Sequence, residues 1–237
     1  MIIRVITSVM IVLLIAQPAS AQLDRIFKGL GLGEKSGLSD VKIGSGLKEA
    51  LQIGTEHAVK LTGKTDGYFM NQVIKILMPE KLRTFEKGLR AVGYGSQVDE
   101  FILSMNRAAE RAAPSAKQFF WDAIGEMTFE DVKKVLSGHD TAATDYFKGK
   151  TTNKLTDVFK PIVSNAMNDV GVTRQYKELV GRYENIPFMK KESFDLDQYV
   201  VTKALDGLFL MVGEEEKKIR KNPAARTTDL LKEVFGK

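Results

Sequence analysis

Residues 195–221, DLDQYVVTKALDGLFLMVGEEEKKIRK, decide the fold. Val201, Leu205, Leu208, Val212 and Ile219 recur at helical spacing and trace one apolar stripe over 197–221. Asn222-Pro223 ends the run, because the residue before proline is pushed out of the helical region. Glu214 to Glu216 precede Lys217, Lys218 and Arg220. Glu214 with Lys218, and Glu216 with Arg220, stand at i,i+4 in the acid-first order that supports a helix. The charges read as a solvated, self-paired face. Three adjacent glutamates point in different directions around a helix, so they do not converge on a metal.

The same period extends over most of the chain. Ser39 suits an N-cap, and Leu47, Leu51, Gly54, Ala58 and Leu61 follow at spacings of three and four. Gly54 and Ala58 leave room for a second helix to come close. Beyond Pro79 the pattern predicts helices near 80–91, 97–112, 115–126, 129–136, 141–149, 152–168, 173–184, 197–221 and 224–235. Ser96 suits an N-cap. Thr128 with Asp131 forms a capping-box pattern, and Gly138 suits the end of that helix. Asp140 suits the next N-cap. Pro114 and Pro161 should each start or kink a helix. One segment differs: Val73 to Leu77 is β-branched and roughly alternating. A lone strand needs a partner, and 193–196 is the best extended candidate. The expected fold is therefore all-α, a compact multi-helix bundle-like domain over 39–237. It holds at most one short two-stranded β element, near 73–77 and 193–196.

The N-terminus reads as a secretory signal peptide over 1–21, with cleavage after Ala21. Arg4 gives the positive region, and Val5 to Ala16 is apolar but too short to span a bilayer. Pro18 breaks the run before Ala19-Ser20-Ala21. Residues 22–38 read as a flexible, Gly-rich lead-in containing Ile26 and Phe27. There is no cysteine. That excludes disulfides, thiolate chemistry and the lipid anchor of bacterial lipoproteins. The expected location is the periplasm. The net charge of +5 becomes +4 once Arg4 is lost, and acids and bases are interleaved. This speaks against nucleic-acid binding and allows at most weak contact with anionic lipid. No transmembrane segment is expected in the mature chain.

Catalytic signals are sparse. HExxH, GxSxG and the P-loop are missing, and the two histidines, His57 and His139, are far apart in sequence. No cofactor, metal or catalytic residue is expected. Asn106 and Glu110 share a helix face, and Arg107 can pair with Glu110 at i,i+3. Asp66, Asn71, Asn106, Arg107, Glu110, Asp195 and Asp197 are the candidates for a polar pocket mouth.

Several long blocks occur in an order that resembles one known family. They are GLKEAL (46–51), DGYFMN (66–71), MNRAAE (105–110), MTFEDVKKVLSGHDTAATDYFKGKT (127–151), DLDQYV (195–200) and the run from Lys203 to Gly236. Together they resemble DUF4197, exported bacterial proteins of unknown function. The resemblance implies an exported, mostly helical single domain and brings no activity or site residues. The leading functional expectation is a non-enzymatic envelope protein that binds an apolar or small ligand or a protein partner. The alternatives are a carboxylate-dependent envelope hydrolase built on Asp66, Asp195 and Asp197, and a peripheral protein on anionic membrane surfaces.

Overall fold

A computed structural model describes residues 40–169 and 195–226, together with residues 174, 228, 229 and 232. The described elements are α1 (Asp40–Gly63), α2 (Arg83–Ala91), α3 (Gly95–Ala112), α4 (Ala116–Gly125), α5 (Phe129–Ser137), α6 (Ala142–Asn168) and α7 (Leu196–Lys221). Short 3-10 turns occupy Glu80–Leu82, Ala113–Ser115 and Pro223–Ala225. The protein is an all-α, multi-helix domain, with no strand among the described residues.

Helix α7 is the hub, packing on α6, α1 and α3. Its apolar stripe is wider than its sequence pattern alone requires. Val200, Val201, Ala204, Leu205, Leu208, Phe209 and Val212 are all buried, as befits a helix with neighbours on several sides. Phe120 of α4 meets Phe147 of α6 and Phe209 of α7, with ring centroids 5.3 and 6.0 Å away. Such tilted and edge contacts add to area burial. The small residue Gly54 of α1 does admit α7: a Cβ there would lie 3.4 Å from Ile219 Cδ1.

Three expectations are corrected. Residues 141–149 and 152–168 form one helix, α6, which runs through Pro161. Its buried positions Phe147, Thr151, Leu155, Phe159 and Val163 repeat every four residues, so the packed face is continuous and overrides the local breakers. Pro161 itself is exposed. Ser96 does not cap α3, which starts at Gly95; its hydroxyl donates instead to Gln97 Oε1. Asp140 does not cap α6. It pairs with Lys221, whose ammonium holds the carboxyl below its ordinary range. The Thr128–Asp131 capping box forms in full at the start of α5. Ser39, the lead-in, residues 193–194 and, apart from residue 174, the expected helix over 173–184 lie outside the described residues, as does most of 224–235.

The acidic run of α7 is corrected too. Glu214 pairs with Lys217 at 2.8 Å and Glu215 with Lys218 at 2.6 Å; Glu216 meets Arg220 at 2.8 Å as expected. Glu215 and Glu216 are buried rather than solvated. Glu215 also lies 2.7 Å from His57 Nδ1 on α1. Glu216 takes the place expected of Asp140. It accepts the Ala143 and Thr144 N–H groups at 2.9 Å each and the Thr144 hydroxyl at 2.9 Å. A carboxylate from α7 thus satisfies donors at the N-terminus of α6. Arg220 donates to Glu216 and to the Val135 carbonyl, joining the end of α5 to the same knot.

Candidate functional site

The segment after α1 carries the site. Asp66 has φ of +65°, a left-handed conformation that aspartate tolerates better than most residues. Gly67 follows because a Cβ there would fall 2.5 Å from the Leu61 and Thr62 carbonyl oxygens. Tyr68 then turns fully inward, and its hydroxyl donates to the Ala204 carbonyl of α7 at 2.6 Å. Burial pushes the Tyr68 phenol far up, and the charge of Glu110 pushes it further. Asn71 closes an Asx turn by accepting the Val73 N–H at 3.1 Å, and its main-chain oxygen accepts from Ile74 and Lys75.

After the turn at 72–74, residues 75–78 run strand-like without being part of a sheet. Ile76 and Met78 are buried while Leu77 between them is exposed, the period-two alternation of an extended chain; Ile74 is buried and Val73 exposed in the turn before it. The expected partner strand is replaced by a side chain. Asn106 Oδ1 accepts the Ile76 N–H at 2.8 Å, and Asn106 Nδ2 donates to the Ile76 carbonyl at 2.8 Å. One amide thus satisfies both main-chain groups of Ile76, as a neighbouring strand residue would. The reading of 73–77 as a strand is corrected: 72–74 form a turn closed on the Asn71 carbonyl, only the chain after it runs without helix or turn, and there is no pairing with 193–196. Asp195 and Leu196 belong to the cap and first residue of α7.

Five of the candidates bond within or to the 66–78 segment, and three of them, Asp66, Arg107 and Glu110, are joined to one another. Glu110 accepts the Tyr68 and Phe69 N–H groups at 3.1 and 3.2 Å. Arg107 reaches Glu110 at 2.6 Å and Asp66 at 2.7 Å. Hydrogen bonding to Glu110, and secondarily to Asp66, keeps its guanidinium more firmly protonated. Asn106, Arg107 and Glu110 of α3 therefore hold the 66–78 segment in place, Asp66 receiving Arg107 and Asn71 closing a turn within the segment. Asp195 and Asp197 stand apart from this network in role. Asp195 caps α7 by accepting the Gln198 N–H at 2.9 Å, and Asp197 sits in that helix's first turn. No group of three or more His, Asp or Glu side chains positioned to hold a metal occurs among the described residues.

The outer side of the same segment forms a groove of about 520 Å³ against α7. Its α7 wall is Tyr199, Lys203, Asp206 and Leu210, at spacings of four, three and four and so on one helix face. Its other wall is the 73–78 segment, and Glu80 and Arg83 stand at its rim. Val73, Leu77 and Leu210 are exposed apolar side chains that all line it. Gly207 brings the two walls together: a Cβ there would lie 2.7 Å from Tyr68 Cε1 and 3.1 Å from Ile74 Cβ. Tyr199 donates to the Leu77 carbonyl at 3.0 Å. Burial raises its phenol pKa, so the hydroxyl stays neutral.

Sequence reasoning named none of these groove residues as a site. The α7 signal was present as a second face opposite the apolar stripe. The alternation over 73–77 was also present, but it pointed to a missing strand rather than to a surface. A smaller groove of about 370 Å³ lies between α1 and α5, lined by Ile43, Phe129, Val132 and Leu136 among others.

The blocks that build this segment, DGYFMN and MNRAAE, are among those that carry the family resemblance. The profile of DUF4197, a protein family of unknown function, matches residues 37–236. The chain belongs to the DUF4197 family. No curated protein and no solved structure shows significant similarity to it. The match thus covers the loop, the glutamate and arginine behind it, and both walls of the groove. No helix among the described residues is long and apolar enough to cross a membrane.

Proposed function

We propose that this DUF4197 protein is an exported, non-enzymatic binding protein of the cell envelope, with the groove between 73–78 and α7 as its ligand site. The observation that carries the reading is the groove itself. Val73, Leu77 and Leu210 face solvent there, within a concave surface whose walls are fixed by Asn106, Glu110 and Gly207. Exposed apolar side chains gathered on a rigid concavity are the usual mark of a binding surface. The export and envelope location rest on the signal-like stretch over 1–21.

The carboxylates behind the hydrolase alternative lend it no support. Asp66 is paired with Arg107 and Asp195 caps a helix. A carboxylate pair for acid–base work needs two groups converging on one cleft.

The test is a photocrosslinking amino acid placed at Leu210, with a second version at exposed Val92 as control. After irradiation in intact cells, intact-mass spectrometry should show a discrete added mass at position 210 only. Equal labelling at both positions, or none at 210, would overturn the reading.

A further inference from the structure

We propose that the groove takes an extended peptide, held by main-chain pairing with Lys75 and Leu77 as well as by its apolar side chains. The inference rests on the groove being the ligand site and names the class of ligand. In an extended chain, successive residues turn their N–H and C=O groups to opposite edges. Ile76 turns both toward Asn106. Leu77 therefore turns its groups toward α7, and its carbonyl does meet Tyr199 there. The Leu77 N–H has no partner among the described residues, and neither has the Lys75 carbonyl.

These two groups flank one residue and share one edge. That is the pattern a parallel strand uses, with a single incoming residue donating its N–H to one neighbour and accepting from the other. Inserting an extended segment at an unpaired edge is a general mode of peptide recognition. The α7 wall from Tyr199 to Leu210 is about 16 Å long at helical rise, which matches about five extended residues. Alternate side chains of such a peptide would contact Val73, Leu77 and Leu210. The rim carries Lys75, Arg83 and Lys203 against Glu80 and Asp206, an excess of one positive charge. The favoured peptide is therefore apolar at alternate positions with an acidic residue between. An acyl chain would use the apolar floor but not the Leu77 N–H–Lys75 C=O pair.

The probe is a phage-displayed library of random nonapeptides, panned on the purified protein. Enrichment of alternating apolar sequences is expected. A synthetic copy of the enriched peptide should bind in solution, and N-methylation of its central amide should weaken binding about tenfold. Leu210→Asp and Val73→Asp, both at exposed positions, should each weaken it at least as much while the melting temperature stays unchanged. Failure to enrich any such sequence would overturn the inference, as would binding indifferent to N-methylation or to both substitutions. A lipid or other non-peptide crosslinked at position 210 would also overturn it while leaving the groove as a binding site. No adduct at 210 would remove both.

Discussion

Glu110 and Glu216 do the same local job in two different settings. Each is buried, each accepts two consecutive main-chain N–H groups from a distant segment, and each is paired with an arginine on its own helix. The Glu216 knot is closed. Its donors open a helix, its Arg220 is 13% exposed, and that arginine also holds the end of α5. The Glu110 knot is more open. Its donors belong to a turn, and its Arg107 is 36% exposed and shared with Asp66. The first joins three helices. The second fixes a short piece of irregular chain whose far side faces solvent. A buried carboxylate can therefore serve either to lock a fold or to hold a surface in shape, depending on what its acceptors meet.

That contrast can be broken most forcefully at Glu216. Replacing it with Ala leaves Arg220 half-paired and two helix donors unmet, and should cost about 3–5 kcal/mol. Urea unfolding should show the loss as a global change, with Glu216→Gln recovering part of it. A cost under about 1 kcal/mol would mean the knot is ornamental.

Asn106→Leu tests the other region. It leaves the Ile76 N–H and C=O without partners, a cost of about 3 kcal/mol at the usual penalty per buried group. Hydrogen exchange should quicken first at 74–78, while amides of α6 stay protected. If Glu216→Ala opened 74–78 equally, the two regions would be one cooperative unit and the contrast would fall.

Gly207→Ala probes the close approach of α7 to the segment. The added methyl must displace the buried Tyr68 ring or Ile74, at about 1–3 kcal/mol by thermal unfolding. The smallest effect is expected at the α5 capping box. Thr128→Ala should cost about 1 kcal/mol. Hydrogen bonds from Thr128 depress the Asp131 pKa, so this carboxylate stabilises the fold above the ordinary carboxylate range. That contribution disappears as pH falls through the lowered folded value. The stability gap between wild type and Asp131→Asn should therefore be open at neutral pH and close in strong acid.

Much of the helical pattern was legible. The capping box and the Arg107–Glu110 pair follow from spacings of three residues, where local geometry fixes who meets whom; Gly54 marked a place where a helix could come close, and packing made that helix α7. Misreadings came where a distant group displaced a local one. Asp140 had the right chemistry and place to cap α6, but Glu216 takes that role from across the bundle. Charges at 214–216 looked solvated because acids followed by bases one helical turn on usually pair with each other at a surface; nothing in the run shows that α6 and α1 cover two of the three glutamates. The groove was invisible for the same reason. Its two walls come from 73–78 and 199–210, each unremarkable alone.

Sequence by itself determined that this chain forms helices, where several of them begin, and which family it belongs to, because periodicity and caps are short-range properties. Only the tertiary structure decided what those helices do to one another. Glu110 finds its main-chain donors 41 and 42 positions away, Asn106 stands in for a strand 30 positions away, and Glu216 caps a helix across 72 and 73. Buried polar groups must be satisfied by whatever lies nearest in space. Packing alone settles which groups those are, and so where the chain is held to make a groove.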